Sequence, residues 1–216
     1  MRRVFGIFEV VFDALYLITA FGIGLFLLFA EARSSVRLLA GTATLVLGVG
    51  DLFHLVPRMA VIVTHREEIF RSALGRGKQI ASITMTVFYL LLWQILRCVD
   101  RFEGYGFWDF AVYFLAAVRI AICLLPQNRW HDRFPPVRWG IARNIPFFML
   151  GIAVAWQCYL GRSAMPALRS MWLAIALSFA FYLPVVLRSN RNPKVGMLMF
   201  PKTCAYLWML AMFLSL

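Results

Sequence analysis

Seven stretches of nearly unbroken apolar residues, separated by short gaps rich in arginine, set the pattern of this chain. They run over Val4–Phe29, Val36–Val63, Gln79–Cys98, Phe107–Pro126, Trp139–Leu160, Met171–Leu187 and Val195–Leu216. Each is close to the about 20 residues that a helix needs to cross a hydrocarbon layer of about 30 Å. The pattern predicts an all-α membrane protein, a bundle of seven transmembrane helices, with residues 1–216 forming a single transmembrane domain. The start of the chain imitates a signal peptide, with Arg2 and Arg3, an apolar run and Ala30-Glu31-Ala32. That apolar run is longer than a typical signal core, and Glu9 and Asp13 interrupt it, so a retained helix is expected.

The polar residues inside the segments follow helical spacing. Gly50-Asp51-Leu52-Phe53-His54-Leu55-Val56-Pro57-Arg58 sets an acid, an imidazole and a guanidinium at i, i+3 and i+7. On a helix these fall within about 60° of one another, one polar stripe in an apolar segment. Ionisable groups at membrane depth face the bundle interior and pair there, so the stripe calls for partners on other helices. In the second gap, Thr64-His65-Arg66-Glu67 fits a capping box, and the residues after it reach Gly75. That predicts a short surface helix, or else a structured loop, between the second and third spans.

Composition supports the membrane reading. Hydrophobic residues make up 62% of the chain, well above the roughly half found in soluble domains. The net charge of +12 would suit a nucleic-acid binder, yet the 22 Lys and Arg are scattered through the gaps between spans. Topology and anionic lipid headgroups account for them, and no nucleic acid is expected as a partner. The side of the N-terminus collects Arg2, Arg3, Arg66, Arg71, Arg76, Lys78, Arg129, Arg133, Arg138, Arg188, Arg191 and Lys194. The other side has only Arg33, Arg37, Arg97, Arg101, Arg162 and Arg169. The positive-inside rule therefore sets the N-terminus in the cytoplasm and the C-terminus outside, in a bacterial-type plasma membrane. Tyr105, Trp108, Trp156, Tyr159 and Trp172 would form one aromatic belt and Trp130 and Trp139 the other. Tyr89-Leu90-Leu91-Leu92-Trp93 and Tyr206-Leu207-Trp208-Met209 suggest a 3+1+3 arrangement of two helix triplets about the fourth span.

With this orientation Asp13 lies roughly 13 Å in from the start of its helix, one turn deeper than Glu9 and on the same face as Tyr16. Asp51 comes to a similar depth, with His54 and then Arg58 nearer the surface. Ser82, Thr84, Thr86, Arg119, Arg143, Asn144, Tyr182 and Lys202 fall in the same half, so a polar cavity facing the cytoplasm is expected. Asp13, Asp51, His54, Arg58, Arg119, Arg143 and Lys202 are its candidate ligand-binding or proton-handling residues. Counting Glu9 with the acids leaves a slight excess of cations, which favours an anionic small molecule or a lipid headgroup. Breaks at Pro57, Pro184 and Pro201 would loosen the backbone beside it.

No cofactor or metal is implied. The other two histidines, His65 and His131, stand in gaps between spans, which excludes a three-histidine zinc site within the bundle. The third span has no acid to act as counter-ion to a retinal Schiff base on Lys202. Cys98, Cys123, Cys158 and Cys204 form no CxxC pair; Cys98 and Cys158 lie near the same ends of their spans, where a disulfide could join them, but lone membrane cysteines usually serve as small apolar packing residues. Three functions remain: a transporter or ligand-binding protein for an anionic small molecule or amphiphile, a lipid-modifying or lipid-hydrolysing enzyme using Asp13, Asp51 and His54, or an accessory subunit whose polar residues only hold the helices together. Oligomeric state leaves no trace in the pattern.

Overall fold

A computed structural model describes residues 2–29, 34–99, 105–188 and 193–216. Ala30-Glu31-Ala32, Arg33, Arg101 and Arg191 lie outside the described residues, as do the side chains of Arg2, Arg3, Tyr105 and Lys194. The described chain is all-helical: α1 Arg2–Phe29, α2 Ser35–Thr64, α3 Glu67–Val99, α4 Tyr105–Leu124, α5 Val137–Leu160, α6 Met171–Arg188 and α7 Met199–Phe213. Seven helical spans are long and apolar enough to cross a membrane.

α1 shows how the sequence builds such a helix. Its exposed face carries Ile7, Phe8, Val11, Leu15, Ile18, Leu25, Phe26 and Phe29, while Glu9, Asp13, Tyr16 and Ala20 are buried on the other. A helix of a soluble protein has the opposite polarity, with charge outside and hydrocarbon within. This surface suits lipid, and the acids face protein.

α3 is the central element. Phe88, Tyr89, Leu92, Trp93, Ile95 and Leu96 are fully buried along it, and it packs against α2, α4 and α5. Across the core Tyr89 meets Phe147 edge-on at 5.3 Å between ring centres, and Phe147 meets Phe179 at 4.9 Å. At the far end from the α2–α3 turn, Trp93 donates to Asp109 Oδ1 at 2.7 Å and Arg97 reaches Asp109 Oδ2 at 3.1 Å, fastening α3 to α4. Asp109 is thereby committed to packing.

Three sequence expectations change. The surface helix predicted to stop at Gly75 is instead the first part of α3, which runs on without a break. Gly75 and Gly77 are not terminators but points of close approach. A Cβ on Gly75 would stand 2.5 Å from the carbonyl oxygen of Trp130, and one on Gly77 would stand 2.1 Å from that of Phe53. The turn before α3 is made by His65, which ends α2 in the left-handed region at φ 58°. Second, Pro57 and Pro184 sit inside continuous helices, as does Pro146. Pro201 falls in the first turn of α7, where a missing N–H costs no helical bond. Third, Trp130 is buried rather than part of a lipid-facing belt. All four cysteines are free, with Cys158 buried and Cys98 exposed, so no disulfide joins that pair.

Candidate functional site

The polar stripe of α2 meets the polar face of α1 across a cleft that α7 closes. Glu9, Phe12, Asp13 and Tyr16 from α1, Asp51, His54, Leu55 and Arg58 from α2, and Phe200, Lys202, Thr203 and Tyr206 from α7 line it. Antiparallel packing of α1 against α2 brings the early turns of one beside the late turns of the other, which is why residues 9–16 face residues 51–58. Lys202 and Tyr206, four apart, present one face of α7.

Two pairs tie the stripes together. Tyr16 donates its hydroxyl to Asp51 Oδ2 at 2.5 Å, and Arg58 forms an ion pair with Glu9. Asp13 lies between them in sequence and differs from both. It is 7% exposed, it faces the cleft, and its Oδ2 is buried without a hydrogen-bond partner. His54 Nδ1 is likewise buried and unpartnered. Lys202, also buried, stands over the rings of Tyr206 at 4.5 Å and Tyr182 at 5.2 Å. It lies within electrostatic reach of both Asp51 and Arg119.

The open volume of the cleft is about 50 Å³. That admits water but is far below the roughly 300 Å³ at which small-molecule sites begin. Aromatic side chains close it: Phe12 and Phe200 meet edge-on at 5.1 Å, and Phe8 lies 5.7 Å from Phe200.

Of the seven residues singled out from the sequence, Asp13, Asp51, His54, Arg58 and Lys202 share this cleft. Arg119 and Arg143 belong to a different neighbourhood. The Arg119 guanidinium lies over the Phe147 ring, 3.3 Å from its centre, and Arg143 lies over Trp130 at 4.2 Å. Arg143 also donates to Asn128 Oδ1 at 3.0 Å. The cleft itself therefore holds three carboxyl groups, Glu9, Asp13 and Asp51, against two cations, Arg58 and Lys202.

Ser82, Thr84 and Thr86, expected on the polar wall, turn their hydroxyls back to the carbonyls of Lys78, Ile80 and Ser82 on their own helix. Such back-bonding satisfies a hydroxyl in an apolar setting without a tertiary partner. Conversely, Tyr206, Thr203, Phe12 and Phe200 line the cleft although polarity alone did not single them out. Tyr206 had a signal in its i+4 spacing from Lys202; the phenylalanines had none among 20.

Among the described residues no group of His, Cys, Asp and Glu is arranged to hold a metal ion. Comparisons with protein-family models, curated proteins and solved structures find no match.

Proposed function

We propose that the protein is an integral membrane carrier in which Asp13, Asp51 and His54 handle a proton whose movement is coupled to that of an anionic small molecule or amphiphile. The observation that carries this reading is Asp13: a buried carboxyl group without a hydrogen-bond partner, facing a water-sized cleft. An ionised carboxylate left unpaired at membrane depth is costly, whereas taking up a proton removes most of that cost. Asp51 is held by Tyr16 and lies within reach of Lys202, so the two acids have different partners and are free to act at different steps. The small volume of the cleft fits a proton and ordered water; a solute needs α7 to move away from α1 and α2, as alternating access requires.

In this reading the N-terminus is cytoplasmic, the cleft opens toward the cytoplasm, and the basic residues at that end meet anionic headgroups of a bacterial-type plasma membrane. Two helix triplets about α4, the 3+1+3 plan, would give α7 the place in the second triplet that α3 has in the first.

The enzyme reading has one observation in its favour, the presence of Asp13, Asp51 and His54 in one cleft. Proteoliposomes loaded with a pH-sensitive dye separate the two. Presented with a panel of carboxylate and phosphate metabolites, the carrier moves protons when its solute is added, and Asp13→Asn and Asp51→Asn each reduce that signal at least about 100-fold, as expected for loss of an essential proton group. If no solute moves protons in the wild type while the lipids of the vesicles change in chemical identity, the protein is the enzyme.

A further inference from the structure

Arg119 is the largest charged side chain sealed inside the bundle, 1% exposed, and its Nε and Nη1 are buried without hydrogen-bond partners. A guanidinium cannot shed its charge in a protein. An uncompensated buried cation costs several kcal/mol, so a fold retains it only where something else repays that cost. Pairing with Asp13 or Asp51 would be the ordinary solution, but neither carboxylate lies within 4 Å of it. Its neighbours are Cys123, one turn further along α4, Tyr182 on α6 and Tyr206 on α7.

Arg143 and Lys202 repeat the arrangement. Arg143 shares Cys123 and Tyr182 as neighbours with Arg119, and its one hydrogen bond to a side chain is to the neutral Asn128. Lys202 is near enough to Arg119 for the two to repel. Each cation rests on an aromatic face: Arg119 on Phe147, Arg143 on Trp130, Lys202 on Tyr206 and Tyr182. A ring under a guanidinium attracts its charge but takes none of its N–H groups, which radiate in the plane and stay available.

We infer that Arg119, with Arg143 and Lys202 near it, is the receiving site for the anionic group of the ligand, a carboxylate or phosphate. This rests on the carrier reading only for the ligand's route into the bundle; binding itself needs no proton step. It also gives Lys202 a place in the coupling. With the anion absent Lys202 faces Asp51, and with the anion present it shares the new negative charge, which releases Asp51 for a proton. The three cations lie on α4, α5 and α7, so an anion among them draws those helices together.

Thermal unfolding of the purified full-length protein in mild detergent tests this, in sodium chloride, sodium acetate and sodium phosphate at matched ionic strength, and in chloride with added phosphatidylglycerol. Acetate, phosphate or the lipid should raise the melting temperature of the wild type and of Asp13→Asn by about 5 °C over chloride alone, and Arg119→Gln should lose the increment. Free anions and lipid are separate arms, so the result identifies which source supplies the charged oxygens. Equal melting in all four conditions, or an increment that survives in Arg119→Gln, overturns the inference. Should Arg119→Gln yield no folded protein, Arg119→Lys is measured in the same conditions: the increment should shrink, and an unchanged increment overturns the inference. The dye assay with Asp13→Asn is independent of these outcomes, so the proton reading and the anion site fail separately.

Discussion

Asp13, Asp51 and Glu9 are chemically alike, stand within one cleft, and are nevertheless held in three different ways. Glu9 is neutralised by Arg58, Asp51 accepts a hydrogen bond from Tyr16, and Asp13 Oδ2 has no partner. The first two have structural consequences that can be measured. Tyr16→Phe removes one hydrogen bond to a half-buried carboxylate and should lower stability by about 1 kcal/mol, or roughly 2–4 °C in melting temperature. Glu9→Gln and Arg58→Gln should each destabilise, and the double variant should lose less than the sum, because the second change removes a group already left alone. Additive losses in that cycle would show the pair to be energetically idle. The i, i+3, i+7 spacing made the α2 stripe visible in the sequence, and Tyr16 was visible as a neighbour of Asp13 one turn on. The sequence could not tell which acid would be paired, since that depends on the rotation of α1 against α2.

At the scale of the element, the junction of α2 and α3 is the most informative departure. Gly75 and Gly77 read locally as a helix end because glycine is a poor helix former and a common terminator. In the fold they are the points where α3 passes closest to the Trp130 and Phe53 backbones. Gly77→Ala should therefore cost several degrees of melting temperature or abolish folding, since its Cβ meets main chain that cannot rotate away. Gly22→Ala is the control: nothing lies within 4 Å of the added methyl group, and a better helix former there should leave melting unchanged or slightly raised. Similar losses for both would show that the close approach of Gly77 to the Phe53 backbone is not what the substitution disturbs. The prolines follow the same logic. Pro57, Pro146 and Pro184 are tolerated within α2, α5 and α6, as neighbouring helices in a membrane allow.

For the whole molecule, sidedness is the property on which the proposed carrier function depends most. Cysteines placed at Ser35 and Arg66, both exposed and at opposite ends of α2, report it when the exposed Cys98 and Cys204 are first changed to alanine. With a cytoplasmic N-terminus, a membrane-impermeant thiol reagent should label the Ser35→Cys protein in intact cells and leave Arg66→Cys unlabelled until the cells are opened. The reverse pattern would turn the cleft to the outside and, in the proposed carrier, reverse the direction of proton coupling. The bundle has most of its charged side chains at the end where α2 turns into α3 and is pinned at the other by Asp109 with Trp93 and Arg97. In the proposed carrier this asymmetry would let one end open while the other stays packed.

The sequence by itself determined the seven spans and the polar residues within them, because both follow from local quantities: the length of an apolar run against the thickness of a bilayer, and the angular spacing of side chains on a helix. It also brought out Asp13, Asp51, His54, Arg58 and Lys202, each a charged or titratable group too costly to face lipid. Only the tertiary structure separated Arg119 and Arg143 from that set and left the cleft with more acids than bases. Depth along a helix can be counted from its end, but the direction a side chain faces across the bundle is fixed by which helices are neighbours and how each is rotated. Those are long-range choices made by packing, at Gly77 against Phe53 and Phe147 against Tyr89, and no single segment encodes them.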